Sequence, residues 1–234
     1  MSMDPALTAL LRTERGLWRG RDQYYTHKTL PTGYAALDRK LPAGGWSIGT
    51  LTELLVEQHG IGELSLLLPL LASITTDKHW GALINPPYTP YAPALACAGV
   101  DLDYLLIVNT GNCADTFWSA EQLLRNGSFH AVISWINASG NSRHIKQLRR
   151  LQLAAEQSNA IAVIYQDSHL SAQHSPAALR IRLRPATNSK TRFEERIDGL
   201  TLDVIKARGG TETRLMIPAT AFDKLQGIEW PVVR

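Results

Sequence analysis

Five short apolar segments alternate with helix-like segments across the middle of the chain, and this alternation is the strongest constraint on its fold. The apolar segments are LTELLV (51–56), GALINPP (81–87), YLLIVNT (104–110), HAVISWI (130–136) and AIAVIYQ (160–166). Nearly continuous apolar character is typical of parallel strands that are buried on both faces. The helical segments between them supply the crossovers that parallel strands need. The sequence therefore predicts an α/β fold with a mostly parallel central sheet flanked by helices.

The chain changes character on either side of this alternating region. Upstream, residues 5–19 carry leucines at roughly helical spacing, which predicts an amphipathic helix. Downstream, three segments alternate apolar and polar residues, as half-exposed antiparallel strands do: ALRIRLRP (178–185), GLTLDVIKARGG (199–210) and TRLMIP (213–218). We therefore expect a C-terminal antiparallel extension of the sheet. The predicted organisation is an N-terminal helical arm at 1–29, a core domain at 30–218 and a C-terminal tail at 219–234.

Composition places the chain among folded cytoplasmic proteins. Hydrophobic residues make up 44 % of the 234 residues and charged residues 19 %, which suits a packed core. The longest apolar run, residues 64–74, is too short to span a bilayer, and the N-terminus lacks the apolar core of a secretory signal. Cys97 and Cys113 form no disulfide or metal framework, so we interpret them as two idle thiols in a reducing compartment.

Basic residues are concentrated in the second half of the chain, although the net charge is only +3. One cluster spans residues 143–150 and another spans residues 180–196, whereas residues 81–120 contain no Lys or Arg. Alternation with apolar neighbours predicts that Arg180, Arg182 and Arg184 share one face of a strand. This face is either solvated or a contact site for DNA phosphates or an acidic partner, since Arg suits both ligands.

The segment VEQHGIGEL (56–64) resembles a phosphate-binding loop between a strand and a helix, but it lacks the residues that bind phosphate. A working loop reads G-x-x-x-x-G-K-[ST]. Gly62 fits the second glycine, whereas Glu57, Glu63 and Leu64 replace the first glycine, the Lys and the hydroxyl residue. We therefore expect no ATPase activity and no cofactor. The alternative, a site that still binds nucleotide, is less favoured.

The later positions of such a site also lack their usual acids. The strand end ISWIN (133–137), where a magnesium-binding Asp is usual, has none, and neither has the end of the earlier strand at Asn85. We interpret Gly60, Gly62, Glu63 and Leu64 as a vestigial loop kept for packing, in which one or both glycines need a positive φ. Glu63 is expected in the first turn of the next helix, where it replaces phosphate as the bound anion and gains about 0.3–1 kcal/mol from the helix dipole.

Other motifs point to contacts rather than to catalysis. The seven His residues show no metal-binding spacing, so no metal site is predicted. Trp46 and Trp230 lie beside Gly and Pro in predicted loops, and we expect them to contact a protein partner. We expect three other tryptophans to pack internally, namely Trp18, Trp118 and Trp135.

Three segments of the sequence resemble segments of known proteins and occur in the same order as they do there. TGYAALDRKLPAGGWSIGTLTEL (32–54) resembles the approach to the phosphate loop in RecA recombinases, and YAPALACAGVDLDYLLIV (91–108) and QSNAIAVIYQ (157–166) resemble two later RecA segments. The combination of LPTGYAALDRKLPAGGW, GIGEL and LLLPLLA is closer to the ImuA family of bacterial translesion-synthesis factors. It is also similar to the shorter SulA cell-division inhibitors. The resemblance implies a RecA-like core.

The resemblance to the ImuA family implies a non-catalytic accessory factor of the SOS response, which permits error-prone synthesis past DNA damage. The implied partners are an ImuB-type inactive Y-family polymerase, an error-prone replicative-type polymerase, RecA and single-stranded DNA, with no membrane. The alternative is a SulA-type inhibitor that binds the tubulin-like division protein FtsZ. The length of the chain favours the first interpretation, because the shorter family has no counterpart of residues beyond about 170.

Overall fold

The protein forms a mixed α/β structure around one large sheet. The computed structural model describes residues 28–137, 142–187 and 197–223. The predicted N-terminal arm, apart from its last two residues, lies outside the described residues, as do Trp230 and most of the predicted tail.

The strands follow the predicted apolar segments closely. They are β1 (Thr29–Leu30), β2 (Trp46–Ser47), β3 (Leu51–Val56), β4 (Trp80–Ile84), β5 (Leu105–Val108), β6 (Phe129–Trp135), β7 (Ile161–Asp167), β8 (Leu179–Thr187), β9 (Ile197–Ala207) and β10 (Thr213–Pro218).

Helices occupy the intervening segments. They are α1 (Ala35–Asp38), α2 (Leu68–Thr76), α3 (Ala92–Cys97), α4 (Cys113–Asn126), α5 (Ser142–Ser158) and α6 (Ala219–Asp223). Three short 3₁₀ helices complete the fold at Glu63–Leu67, Leu102–Tyr104 and Ser168–Ala172. Asn112 caps α4 by accepting a hydrogen bond from the Asp115 N–H, and Gly127 ends that helix in the left-handed conformation.

The main sheet has eight strands in the order β10-β9-β8-β3-β7-β6-β4-β5. Strands β3 to β7 are parallel, which confirms the predicted parallel core. The extension differs from the prediction in one respect. Strand β8 pairs parallel with β3, and only β9 and β10 continue the sheet in the antiparallel sense.

Two hydrophobic clusters cover the faces of this sheet. Helices α1, α2 and α3 pack on the first face, together with the apolar sides of β8 and β9. Helices α4 and α5 pack on the second face, against β4, β6 and β7. Trp46 belongs to the first cluster and is fully buried, so the prediction that it contacts a partner is wrong. The reason is that β2 carries its indole inward, whereas a loop would have left it at the surface.

The order of the strands places a crevice at their carboxyl ends. After β4 the chain crosses the first face to the edge strand β5, whereas after β6 it crosses the second face to β7. Connections that leave in opposite directions open a crevice between adjacent strands, which is the usual ligand site in open α/β sheets. The glycine turn, residues 57–62, lies at this same edge because it follows β3.

Candidate functional site

The glycine turn links β3 to the 3₁₀ helix Glu63–Leu67 and reverses the chain in little space. Gly60 and Gly62 have φ values of 85° and 88°. Side chains with a Cβ rarely adopt this left-handed region, so glycine is needed at both positions. The prediction of a positive φ in this turn is therefore confirmed.

The carboxylate of Glu63 binds the backbone of the turn that precedes it. It accepts hydrogen bonds from the Gly60 N–H at 3.1 and 3.2 Å and from the Ile61 N–H at 3.1 Å, while His59 Nδ1 lies 3.4 Å away. Successive N–H groups in such a turn form a concave anion-binding nest. Glu63 is 5 % exposed, so these donors also compensate a buried charge. The side chain of the protein itself, rather than an external anion, satisfies both donors.

This geometry refines the expectation for Glu63. The residue begins a five-residue 3₁₀ helix, and the α-helix starts only at Leu68. The dominant contacts are with the turn on its N-terminal side, so direct hydrogen bonds outweigh the helix dipole as the source of stabilisation.

Two tyrosines hold the 3₁₀ helix from below. The Tyr165 hydroxyl donates to the carbonyl of Glu63, and the Tyr34 hydroxyl donates to the carbonyl of Ser65, both at 2.8 Å. Burial raises the pKa of both phenols, so each remains a neutral donor. Trp135 stacks on Tyr165 with ring centroids 4.8 Å apart. The 3₁₀ helix that follows the turn is therefore fixed by side chains of β6 and β7 and by Tyr34, which precedes α1.

A cleft of about 370 Å³ opens beside the turn, at the carboxyl ends of β3, β4, β6 and β7. Its lining includes the carboxylates of Glu57 and Asp167, and among the described residues it contains no Lys or Arg. A backbone hydrogen bond from His169 is the largest influence that lowers the pKa of Asp167, so this group is ionised near neutral pH. Phosphate groups would meet negative charge here. Leu64, at the position of the missing hydroxyl, packs against the hydrophobic core.

Strand β8 carries the three arginines that were predicted to share one face, and the structure buries the first of them. Arg180 is 6 % exposed, and its Nε lies 2.6 Å from the Glu53 carboxylate of β3. Its Nη atoms donate to the carbonyls of Leu170, Ser171 and Gln173. The prediction of Arg180 as a DNA or partner contact is therefore wrong, because β3 places a carboxylate directly beside it.

Arg182 and Arg184 remain half-exposed on the same face. Arg184 lies 2.5 Å from Asp203 of β9, and Arg214 of β10 binds the other oxygen of that carboxylate. Burial alone would raise the pKa of Asp203, but hydrogen bonds from Arg214 and Arg184 outweigh it and lower the pKa. Contact of Arg182 and Arg184 with DNA or an acidic partner stays a prediction. The positive charge of this surface is partly neutralised by Asp203.

Sequence reasoning missed the exposed face of α4 and α5. Trp118 was expected to pack internally, yet it is 62 % exposed. Its neighbours Phe117, Ala120 and Leu124 recur at helical spacing and form the buried face of α4. Trp118 falls outside this periodicity, and that offset is the sequence signal that could have identified it as a surface residue.

Comparison with known proteins relates the parallel part of the sheet and its flanking helices to one family. Residues 49–162 match the model of the family described as "Cell division inhibitor SulA". The Cell division inhibitor SulA of Photorhabdus laumondii is 27 % identical over 115 residues, which are 49 % of this chain and 63 % of that protein. The SulA of Serratia proteamaculans is 28 % identical over 116 residues, 50 % of this chain and 67 % of that protein. This chain thus spans less than two thirds of the first relative.

The matched segment contains the glycine turn, helices α2 to α5 and the part of the cleft contributed by β3, β4 and β6, and it ends inside β7, before the cleft residues Tyr165 to Asp167. Strands β8 to β10 lie beyond it. Among the described residues, no helix combines the length and apolarity needed to cross a membrane. The described residues also bring together no group of three side chains able to hold a metal ion.

Proposed function

We propose that this protein is a non-catalytic cell-division inhibitor of the SulA type, produced in the SOS response and acting through protein–protein contacts. The observation that carries the proposal is the match of residues 49–162 to the SulA family, supported by two relatives that bear the same name. The matched segment includes β3 to β6 and the first two residues of β7, so the similarity covers most of the parallel core and is not confined to one motif.

Absence of catalysis is part of this proposal. The N–H groups that would cradle a phosphate already bind Glu63, and the adjoining cleft presents carboxylates. A carboxylate about 4 Å from a phosphate opposes binding by roughly 1–4 kcal/mol, depending on screening. On this proposal the core is RecA-like in shape but has exchanged nucleotide binding for a rigid internal turn.

The proposed target is FtsZ, the tubulin-like division protein. The test adds the purified chain to FtsZ and GTP and measures sedimented polymer. We expect equimolar protein to reduce the polymer by at least about half, as a capping subunit removes the ends available for growth. An unrelated protein of similar size is the control. Unchanged sedimentation at a molar excess would exclude the FtsZ target.

A second candidate function rests on the part of the chain outside the matched segment. Strands β8 to β10 supply three of the eight strands and carry the half-exposed Arg182 and Arg184. An ImuA-type factor would use such an addition to contact an ImuB-type inactive polymerase, an error-prone replicative-type polymerase, RecA or single-stranded DNA. Immobilised FtsZ, ImuB-type protein and RecA, each incubated with this chain, distinguish the two functions. Retention on ImuB-type protein alone would replace the division-inhibitor proposal.

A further inference from the structure

Helices α4 and α5 lie side by side on the second face of the sheet and leave a furrow of about 340 Å³ between them. Phe117 lines its base, while Trp118 and Gln147 stand on its opposite sides. Neither the buried Arg180–Glu53 pair nor the glycine turn contributes to the lining of this furrow. It is therefore a surface that the proposed function has not used.

Trp118 is the feature of this furrow that points to a partner. Its side chain is 62 % exposed, although a tryptophan can bury about 150–250 Å² of surface when it is covered. Tryptophan and arginine dominate the energetic centres of protein interfaces. The furrow contains both residue types, because Trp118 is exposed at one edge and Arg150 lies on the opposite wall.

Positive charge lies along α5, the second helix of the furrow. Arg143, Lys146 and Arg150 are all exposed and recur at three- and four-residue steps, so they lie along one side of α5. Arg143 and Lys146 make no ion pair with any described residue. Their charges are therefore available to an incoming group of opposite sign.

Glu121, which lines the furrow, orients Arg150 and one further cation, Arg125. It is 4 % exposed, and its carboxylate lies 3.0 Å from Arg125 Nε and 2.6 Å from Arg150 Nη2. One buried carboxylate thus fixes two guanidinium groups whose side chains are more than half exposed. The described lining itself holds the carboxylates of Glu121 and Asp115 and one cation, Arg150. The excess of positive charge comes from Arg125, Arg143 and Lys146, which lie on the same two helices.

We propose that this α4–α5 furrow docks an acidic segment of a partner protein. A large apolar side chain of the segment covers Trp118, and its carboxylates pair with Arg143, Lys146 and Arg150. Charge complementarity selects an acidic occupant. A nucleic acid fits less well, because single-strand sites stack several bases on successive aromatics, whereas the described lining of this furrow exposes one, Trp118. The inference stands apart from the proposed function, because its test does not involve FtsZ.

The test titrates the full chain into a fluorescein-labelled helical peptide of glutamate, alanine and leucine and follows fluorescence anisotropy. We expect saturable binding that weakens at least about tenfold in Trp118→Ala and in the double variant Arg143→Glu/Lys146→Glu. Matched controls are Tyr91→Ala, which removes a side chain of similar exposure at 64 %, and Arg39→Glu/Lys40→Glu near α1. Circular dichroism verifies that each variant folds, as truncation of an exposed side chain should allow.

Three results would overturn the proposal. The first is no saturable binding of the peptide, and the second is an equal loss of affinity in the control variants. The third is a different occupant, recognised by its own dependence on Trp118. A thymidine oligonucleotide that binds more tightly than the peptide would assign the furrow to nucleic acid. A concentration-dependent oligomer that Trp118→Ala dissociates, seen by light scattering, would assign it to a second copy of this chain.

Discussion

The glycine turn and strand β8 both bury a charged side chain, but they neutralise it in different ways. In the turn, Glu63 is bound by N–H groups only two and three residues away. In the sheet, Arg180 is paired with Glu53, which is 127 residues distant in the chain. The first arrangement is a local loop conformation, whereas the second exists only when β3 and β8 are adjacent.

This difference predicts unequal consequences when a partner is removed. The donors of the turn can regain part of their hydrogen bonding from water, because Gly60 lies at the surface. Glu53 is 1 % exposed and has no such recourse. Among the described residues, its other hydrogen-bond donor is the hydroxyl of Ser175, which carries no charge. The buried pair should therefore be the more sensitive of the two sites.

The largest expected effect is that of Arg180→Gln. Removal of one partner from a buried pair leaves an uncompensated charge, which typically destabilises by about 3–5 kcal/mol. Urea unfolding measures this free energy, with Arg182→Gln on the same face as the control at less than about 0.5 kcal/mol. The double variant Glu53→Leu/Arg180→Leu should recover much of the loss. Equal effects of Arg180→Gln and Arg182→Gln would show that burial of the pair does not matter.

The same contrast explains what sequence could predict. The parallel strands and the glycine conformations follow from periodicity and turn chemistry, which act over short distances. Burial of Arg180 depends on a carboxylate contributed by β3, and no local pattern around Leu179 or Ile181 reports it. Trp46 was misplaced for a similar reason, since Gly44 and Gly45 suggested a loop, while the pairing of β2 with Lys28–Leu30 buries the indole. Charge alternation shows which residues share a face but not what covers that face.

The second prediction tests whether Glu63 is held by hydrogen bonds or by the helix dipole. Glu63→Ala removes the acceptor of the Gly60 and Ile61 N–H groups, and we expect a loss of about 1.5–3 kcal/mol, the range for hydrogen bonds to a charged group. The dipole alone would account for only about 0.3–1 kcal/mol. Thermal unfolding with Glu57→Ala as the exposed control separates these values. A loss of only about 0.3–1 kcal/mol would show that the helix dipole, and not the hydrogen bonds, accounts for the stabilisation by Glu63.

Glu63→Lys extends this test from stability to activity. It should destabilise at least as much as Glu63→Ala, and it should not produce an ATPase, because Leu64 and the cleft carboxylates remain. A phosphate-release assay with magnesium and ATP measures this. Turnover in this single variant would contradict the proposal that the site is non-catalytic.

The third prediction concerns the backbone of the turn. Gly62→Val should destabilise by about 1–3 kcal/mol, the cost of holding a β-branched residue at a φ of 88°. Apart from the two chain neighbours, no atom of the described residues lies within 4 Å of a Cβ placed at Gly62, so overlap of that carbon with packed groups does not contribute. Gly111→Val is the matched control, since Gly111 also faces open space but is not in the left-handed region. Equal losses in both variants would remove the argument from positive φ.

The smallest effect is expected at His144, a third buried polar side chain. Like Glu63 it is held by a hydrogen bond, and like Arg180 it is paired with a residue of a distant element. Its ring is 5 % exposed, and its Nε2 lies 2.8 Å from Gln166 Oε1 of β7, so a helix and a strand must meet to form the contact. Burial lowers the pKa of His144 below its ordinary value of 6.5, and the hydrogen bond that its Nε2 donates to Gln166 opposes this only partly.

The sign of the effect follows from proton binding. Below pH 6.5 the unfolded chain protonates this histidine while the folded chain keeps the ring neutral, so protonation favours unfolding. Stability should therefore decline as the pH falls from 6.5 towards the lower folded pKa, and this contribution should level off below it. Urea unfolding across this interval should give a shallower decline for His144→Gln than for the unmodified chain. His174→Gln, which changes an exposed histidine, should leave the decline unaltered. If the stability of all three proteins declined in parallel, His144 would not be the group that couples proton binding to folding. The pH dependence would then come from carboxylates or from His130, because burial also lowers the pKa of His130.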